Sequence, residues 1–295
     1  MRRQRTRMRS RFPTYGYLGL LLIAFAEGTM IFGWEALSTW VTPVTWTGYI
    51  LFMDAVVFRR KGGSLMVSHT RAFLVMLPLS VGFWLIFEGY NLFLDNWHYI
   101  HLPERRWVRY LGCTWSFATI MPAIFETAEF IEDLRLFGRS SGRRMSITHR
   151  LLYTFVPIGI VCLILPVVVP PAVAHYMAAL VWAGFIFLLD PLNYLLGGES
   201  ILRDWEQGQY GRFWSLMLSG LVCGLLWEFW NFWAHTKWVY TIPILGHIKL
   251  FEMPVVGFLG FPPFAVEFFA MYSFARVLEQ RVRGGRNSKI MNCEL

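Results

Sequence analysis

The sequence predicts an all-α protein that crosses a membrane about eight times, arranged as two tandem repeats with the same orientation. Composition is the first observation behind this prediction. Hydrophobic residues make up 56% of the 295 residues and charged residues only 16%, and the mean hydropathy is +0.44. A chain this apolar falls outside the range of ordinary soluble domains. The other two observations are its long apolar stretches and a similarity between its two halves.

The apolar stretches set the expected spans, because a helix needs about 20 residues to cross the hydrocarbon core. In chain order the expected spans are residues 17–36, 44–58, 72–93, 110–131, 152–169, 173–195, 212–233 and 255–275. The stretch 44–58 is the shortest of them. These spans predict four segments, which are a basic N-terminal tail over 1–14, a first four-helix repeat over 15–140, a second over 141–278 and a basic C-terminal tail over 279–295.

The basic residues predict the orientation, because Lys and Arg near span ends stay on the cytoplasmic side. All but five of the 27 lie on one side of this topology. The exceptions are Arg105, Arg106, Arg109, Lys237 and Lys249. We therefore expect both termini in the cytoplasm and the protein in the inner or plasma membrane of a prokaryote. The net charge of +8 then reflects topology and contact with anionic headgroups. Nucleic acid is not an expected partner, because no soluble binding module accompanies the basic tails.

The two halves of the sequence resemble each other at polar positions. Residues 46–66 align with 182–202 through Trp46 and Trp182, Gly48 and Gly184, Ile50 and Ile186, Asp54 and Asp190, Gly62 and Gly198, and Ser64 and Ser200. Further matches are Glu88 with Glu228, Asn91 with Asn231, Trp97 with Trp238, Tyr99 with Tyr240, Pro122 with Pro263, and Glu126 with Glu267. Bilayer composition explains matched apolar residues but not matched Asp, Gly and Ser. We interpret the pattern as a tandem duplication, and an even number of spans per repeat predicts that both repeats have the same orientation.

The repeated acids are candidate functional residues, because an ionisable group in the hydrocarbon region costs about 3 kcal/mol by insertion scales and usually faces the bundle interior. The catalytic candidates are Glu88, Glu228, Asn91, Asn231, Glu126 and Glu267. For Asp54 and Asp190, at helix ends, we expect a structural role as caps or as ion-pair partners of Arg59 or Arg60. Glu27, central in the first span, has no counterpart in the fifth.

Three uses of the Glu88 and Glu228 clusters stay open. They form an acid-base pair in an apolar pocket, because burial disfavours the charged form and lets a carboxyl keep a proton to deliver. Alternatively they bind a divalent cation, with Asp95 and His235 as weak metal candidates. The third use is interhelical hydrogen bonding that joins the repeats. The preferred acid-base interpretation needs no cofactor.

Aromatic residues are abundant, with 14 Trp, 12 Tyr and 26 Phe. Interfacial belts explain many of them. Those beside the acidic clusters could stabilise a cation or stack on a flat lipid. The expected substrate-binding residues are Trp84, Tyr90, Trp97, Trp227, Trp230 and Trp238.

An aspartate before a basic loop, a glutamate followed by Trp-x-Tyr, and a proline followed by a glutamate form a pattern found in both halves. It resembles the small integral-membrane carotenoid cyclases of the heterodimeric lycopene cyclase type and the membrane terpene cyclases of fungal meroterpenoid pathways. The residues concerned are Asp54, Glu88, Trp97, Tyr99, Pro122 and Glu126, then Asp190, Glu228, Trp238, Tyr240, Pro263 and Glu267. The carotenoid cyclases carry an acidic pair soon after the proline, whereas Glu267 has no adjacent acid.

The resemblance implies redox-neutral chemistry, in which a buried carboxylic acid protonates an isoprenoid alkene or epoxide and a second carboxylate removes a proton. We therefore expect a membrane enzyme that acts on a lipid or isoprenoid by cyclase-like or isomerase-like chemistry. One alternative is a transporter or channel with a pseudo-symmetric carboxylate site. Another is a noncatalytic subunit of a larger membrane complex. The expected partners are the bilayer, a lipid or isoprenoid substrate, and either another membrane protein or a second copy of the chain.

Overall fold

The computed structural model describes residues 11–34, 37, 39–137 and 142–291, with side chains described as far as residue 283. Its helices are α1 Thr14–Ile31, α2 Val41–Lys61, α3 Leu65–Ser68, α4 Thr70–Leu94, α5 Arg106–Leu134, α6 His149–Val168, α7 Pro171–Ala174, α8 Ala178–Leu196, α9 Ile201–Glu206, α10 Gly211–Trp233 and α11 Phe261–Met291. Its strands are β1 Trp97–Ile100, β2 Lys237–Tyr240, β3 Lys249–Leu250 and β4 Met253–Pro254, and a 3-10 helix over Val255–Gly260 precedes α11. Most of the predicted tail over 1–14, residues 35–36 of the first expected span and the end of the predicted tail over 279–295 lie outside the described residues.

Seven helical segments of the described chain are long and apolar enough to cross a membrane. They are Thr14–Ile31, Val41–Lys61, Thr70–Leu94, His149–Val168, Ala178–Leu196, Gly211–Trp233 and Val255–Arg283. The eighth expected span, 110–131, lies in α5, which has 29 residues but is too polar to join the seven. Because α5 packs against α2, α4 and α10, polar side chains on it can meet protein instead of lipid. The prediction of a polytopic all-α membrane protein is confirmed, and α5 meets the requirement for length alone.

The last helix extends well beyond its expected end at residue 275. Helix α11 continues to Met291, so the described part of the predicted tail over 279–295 is helical. Arg276 and Arg283 each lie 2.6 Å from the Glu279 carboxylate, at spacings of three and four residues. Ion pairs at these spacings stabilise an exposed helix. The apolar pattern ends near residue 275, whereas the helix continues beyond it and is stabilised there by the ion pairs of Glu279.

Glycines bring the first two long helices of each half into backbone contact. Helix α1 packs on α2, and α6 packs on α8. A Cβ atom on Gly48 would lie 2.6 Å from the carbonyl oxygen of Gly19, and one on Gly159 would lie 2.8 Å from that of Gly184. Such distances leave no room for a larger side chain. The sequence comparison had aligned Gly48 with Gly184 but had not identified Gly19 and Gly159 as their partners.

Asp54 and Asp190 act as caps, one of the two roles expected for them. Asp54 accepts hydrogen bonds from the Met66 amide at 2.8 Å and from the Ser64 hydroxyl at 2.9 Å. Asp190 accepts hydrogen bonds from the Ile201 and Leu202 amides at 2.7 and 3.0 Å. These amides belong to the short helices α3 and α9, whose first N–H groups lack partners inside the helix. The expected ion pair with Arg60 does not form, because Arg60 contacts Asp133 at 2.6 Å.

Candidate functional site

A two-stranded antiparallel sheet joins the two halves of the chain. Strand β1 follows α4, and its partner β2 follows α10. Trp97 lies opposite Tyr240, and Tyr99 lies opposite Trp238. Side chains alternate between the faces of a strand and cross-strand neighbours share a face, so all four aromatic side chains lie on one face of the sheet. This pairing was not part of the all-α prediction.

Asn91 and Asn231 fix the two strands to the helices that precede them. The Asn91 amide donates to the Trp97 carbonyl at 2.7 Å and accepts from the Trp97 N–H at 3.3 Å. Asn231 makes the same two hydrogen bonds to Trp238, at 2.8 and 3.0 Å. Each asparagine amide therefore bonds to both the N–H and the C=O of one strand residue, as the backbone of a neighbouring strand would. Both are catalytic candidates from the sequence, and in the structure their amide groups hold the strands in place.

Glu88 accepts three hydrogen bonds on one carboxyl oxygen. The donors to its Oε1 are the Trp84 indole at 2.8 Å, the Trp97 indole at 3.2 Å and the Tyr99 hydroxyl at 2.5 Å. Hydrogen bonds of this kind stabilise the charged form of a carboxylate. Two of the three donors come from β1, so the strand holds the donors against the glutamate.

Glu228, at the matching position of the second half, has a poorer set of partners. Its Oε1 accepts from the Tyr240 hydroxyl at 2.8 Å and from the Trp238 indole at 3.4 Å. Its Oε2 is buried and has no hydrogen-bond partner within the described residues. The residue that matches Trp84 is Gly224, and the ring of Phe261 lies within 2.2 Å of where a Cβ atom would stand. Because a buried polar atom without a partner is costly, Glu228 is the stronger functional candidate of the two glutamates that contact the sheet.

Tyr99 and Tyr240 keep their protons in this environment. Burial, followed by the charge of the adjacent Glu88, raises the pKa of Tyr99 well above its usual value. Burial and the charge of Glu228 do the same for the pKa of Tyr240. Each hydroxyl is therefore a donor to its glutamate.

A cavity of about 140 Å³ lies against the aromatic face of the sheet. Its walls include Trp84, Phe87, Trp97, Tyr99, Phe117, Trp227, Trp238, Tyr240 and Phe264. Gly112 also lines it, and a Cβ atom added to this buried glycine would meet open space. Neither Glu88 nor Glu228 is part of the wall. Their tyrosine and tryptophan partners line the cavity in their place.

Four of the six expected substrate-binding residues line the cavity, namely Trp84, Trp97, Trp227 and Trp238. The other two do not. The Tyr90 hydroxyl donates to the carbonyl of Leu163 at 3.1 Å. The Trp230 indole donates to Glu27 at 3.0 Å, which gives that unmatched glutamate a partner within the bundle.

Tyr99 and Tyr240 were part of the repeated pattern but were not selected as site residues. The available signal was the alternation in Trp-x-Tyr, because alternate residues of a strand share a face. The same strand geometry would have predicted that the two tyrosines and the two tryptophans line the same wall of the cavity.

Glu126 and Glu267 lie outside this cavity, in unlike surroundings. Both are fully buried and neither lines the wall. Glu126 lies near the carboxyl group of Asp54. Glu267 lies near Tyr90. Neither Glu126 nor Glu267 has a hydrogen-bond partner for its carboxyl oxygens within the described residues. The structure therefore does not bring them together with Glu88 and Glu228 as one catalytic set.

The weak metal candidates have local structural contacts. Asp95 follows α4 with a φ of 48°, and its carbonyl accepts a hydrogen bond from the Thr241 hydroxyl. The His235 ring stacks on His101 with 4.5 Å between ring centres. Within the part of the chain that the structure describes, no group of three or more His, Cys, Asp and Glu residues could hold a metal ion.

Comparisons of the chain with protein-family models, with curated proteins and with solved structures find no match.

Proposed function

We propose that this protein is a membrane enzyme that acts on an isoprenoid or a similar lipid by redox-neutral acid-base chemistry in the aromatic cavity. One observation carries the proposal. The hydroxyls of Tyr99 and Tyr240, each bonded to a glutamate, belong to residues that line an apolar cavity. Cyclisation or isomerisation of an alkene needs an acid, a base and a surface that stabilises positive charge. The aromatic rings of the wall supply that surface, and Glu228 and Glu88, which lie behind the wall tyrosines, supply the acid and the base.

The unequal hydrogen bonding of the two glutamates assigns their roles. The Glu228 carboxyl, with an unpaired buried oxygen, suits the protonated acid, whereas Glu88, with three donors, suits the charged base. In the first step the protonated Glu228 carboxyl donates to the Tyr240 oxygen, which reverses the direction of the hydrogen bond between them. The Tyr240 hydroxyl gives its own proton to an alkene carbon as it takes the proton of Glu228. The alkene electron pair forms the new C–H bond, and the neighbouring carbon becomes a carbocation.

The second step forms the neutral product. The indole faces of Trp84, Trp97 and Trp227 stabilise the carbocation. A neighbouring C–H bond then breaks, its electron pair forms the new double bond, and its proton passes through the Tyr99 hydroxyl to Glu88. One proton has been added and one removed, so the product is an isomer of the substrate.

We also propose that residues 15–140 and 141–278 are tandem repeats with the same orientation and that both termini are cytoplasmic. Three matched features support the repeat: the capping aspartates, the asparagines that bond to β1 and β2, and the glutamate–tyrosine pairs. The distribution of basic residues supports the orientation. In this arrangement the sheet and the cavity lie toward the outer side of a prokaryotic inner or plasma membrane, and α5 is the eighth span.

The test is deuterium uptake by lipids that copurify with the protein. Lipids extracted from the detergent-purified protein are identified by mass spectrometry and then returned to it in D₂O. Because each turnover adds a solvent proton and removes a substrate proton, we expect products that are heavier by deuterium but otherwise of the same formula. Glu228→Gln and Glu88→Gln should each slow uptake by about 100-fold or more.

The matched control is Glu104→Gln, which changes an exposed glutamate near the same end of the bundle and should leave uptake at the wild-type rate. If wild-type protein transfers no deuterium into any retained lipid, the proposal of acid-base catalysis is wrong.

Transport of a proton or a cation is a second candidate function, and a different observation favours it. Glu126 and Glu267 are fully buried and do not line the cavity, and intramembrane carboxyls are common in ion pathways. Reconstitution into liposomes that contain a pH-sensitive dye tests this candidate. Transport predicts flux that Glu126→Gln abolishes, whereas the enzyme proposal predicts deuterium uptake without flux. A noncatalytic subunit would show neither.

A further inference from the structure

We infer that the ligand of the cavity is an amphiphile with an anionic phosphate-type headgroup and an isoprenoid-like apolar tail. This inference rests on the proposed function, because it names the ligand class for the same cavity. Among the residues that the structure describes, two basic ones, Arg109 and Lys237, line the otherwise mainly apolar wall, and no Asp or Glu lines it. The wall is therefore apolar with positive charge at particular points.

Arg109 supplies an uncompensated charge. It lies in the first turn of α5, and its Nε and Nη2 groups donate to the carbonyl of Pro103 at 3.3 and 3.0 Å. These two bonds fix the plane of the guanidinium group and leave its remaining N–H donors available. Within the described residues Arg109 has no ion-pair partner. A fixed guanidinium with unused donors matches the oxygens of a phosphate group.

Lys237 contributes less, because its charge is already paired. Its ammonium group lies 2.5 Å from the carboxylate of Glu252 and 3.2 Å from the carbonyl of Phe232. The inference therefore depends on Arg109.

The position of Arg109 along the chain supports the same conclusion. It is one of the five basic residues that the predicted topology places away from the cytoplasm. The rule that retains Lys and Arg on the cytoplasmic side gives no reason for a basic residue here. A headgroup bound in the cavity supplies that reason, because it pairs with a cation that would otherwise be half-buried beside aromatic rings.

Cys113 offers a direct probe of occupancy. It lies one helical turn after Arg109 on α5 and lines the cavity, so a ligand between the headgroup site and the aromatic wall shields its thiol. In a variant with Cys162→Ser and Cys293→Ser, the remaining cysteine, Cys223, is buried. The rate at which N-ethylmaleimide modifies the protein then reports on Cys113.

The experiment compares geranylgeranyl phosphate, geranylgeraniol, which has the same tail without the charge, and inorganic phosphate. We expect the isoprenoid phosphate to protect Cys113 at a concentration about 10-fold lower than the alcohol, a difference of about 1.4 kcal/mol. Inorganic phosphate at that concentration should not protect. Arg109→Gln should abolish the preference for the phosphate, and Arg109→Lys should retain part of it.

The matched control is Arg106→Gln, which removes the same charge from an exposed residue of the same helical turn that does not line the cavity. It should keep the full preference. Equal protection by the alcohol and the phosphate overturns the headgroup inference but leaves deuterium uptake, and with it the proposed function, untouched. Protection by inorganic phosphate alone, or by none of the three compounds, also overturns it. If Arg109→Gln fails to fold, Arg109→Met replaces it, because methionine also favours a helix. Loss of the preference in Arg109→Met with its partial retention in Arg109→Lys supports the inference, whereas an unchanged preference in Arg109→Met overturns it.

Discussion

Tyr240 donates a hydrogen bond to Glu228 over 2.8 Å, while the second oxygen of the same carboxyl has no partner within the described residues. In the other half Glu88 has a tyrosine donor and two indole donors. The additional indole donor of Glu88 comes from one position, which is Trp84 in the first half and Gly224 in the second. Two glutamates at matching positions therefore have unlike environments.

The first prediction concerns the unequal dependence of the two glutamates on their tyrosines. Tyr240→Phe leaves Glu228 with a single indole donor at 3.4 Å, so we expect it to lower the free energy of unfolding by about 1–3 kcal/mol. Tyr99→Phe should cost less, because Glu88 retains Trp84 and Trp97. Thermal unfolding in detergent, followed by tryptophan fluorescence, measures both. Equal losses in the two variants would show that the environments are equivalent.

The second prediction concerns the two hydrogen bonds between the Asn231 side chain and the backbone of Trp238 in β2. Asn231→Leu keeps a similar volume but removes both hydrogen bonds to Trp238, and we expect a loss of about 2 kcal/mol in the free energy of unfolding. Amide hydrogen exchange at Trp238 should become faster in the same variant. Gln209→Leu, at an exposed position, is the control and should change neither quantity. Unchanged exchange at Trp238 would mean that Asn231 does not hold the strand.

The third prediction concerns Gly112. Because a side chain at this position would enter open space, Gly112→Leu should fill part of the cavity without a clash. We expect stability to be unchanged or to rise by up to about 1 kcal/mol, since leucine favours a helix more than glycine does. Lipid retention measured by native mass spectrometry should fall sharply. Gly82→Leu, on an exposed part of α4 with open space around it, should retain lipid normally. Normal retention in Gly112→Leu would place the lipid elsewhere.

The fourth prediction concerns the glycine contacts between helices. A Cβ atom at Gly48 would lie 2.6 Å from the Gly19 carbonyl oxygen, and one at Gly159 would lie 2.5 Å from the Leu188 amide nitrogen. Gly48→Ala and Gly159→Ala should therefore each lower the free energy of unfolding by about 1–3 kcal/mol. Gly82→Ala meets nothing and should be neutral or slightly stabilising. A neutral result at Gly48 would mean that α1 and α2 can separate without cost.

The sequence predicted the long helices well, because the bilayer imposes both their length and their apolar composition. It did not predict β1 and β2. Each has four residues, and such a short run becomes a strand only through a partner in the other half of the chain. The helix at α5 was expected as an ordinary span, and the sequence did not show that it packs against three other helices.

The site was predicted in part for a related reason. The repeated glutamates correctly predicted that the site lies near the C-terminal ends of α4 and α10. The sequence did not predict which side chains line the cavity, because that depends on the direction of each side chain. Tyr99 and Tyr240 reach it, whereas Glu88 and Glu228 lie behind them. Glu126 and Glu267 matched in sequence, yet their neighbours come from different helices. In the sequence Arg109 is indistinguishable from an ordinary basic residue at a membrane interface, and only the structure places it in the cavity wall.

The register of β1 and β2 is self-complementary, since each tryptophan lies opposite the other strand's tyrosine. A polypeptide with only one such strand could form the same sheet with an identical molecule. A gene for half of this protein would then have encoded a symmetric dimer, and fusion of two copies would have freed each half to diverge. Gly224 and Trp84 record such a divergence. Residues 1–140 and 141–295 produced as separate chains should therefore assemble and copurify. Failure to associate would contradict an origin in a symmetric dimer.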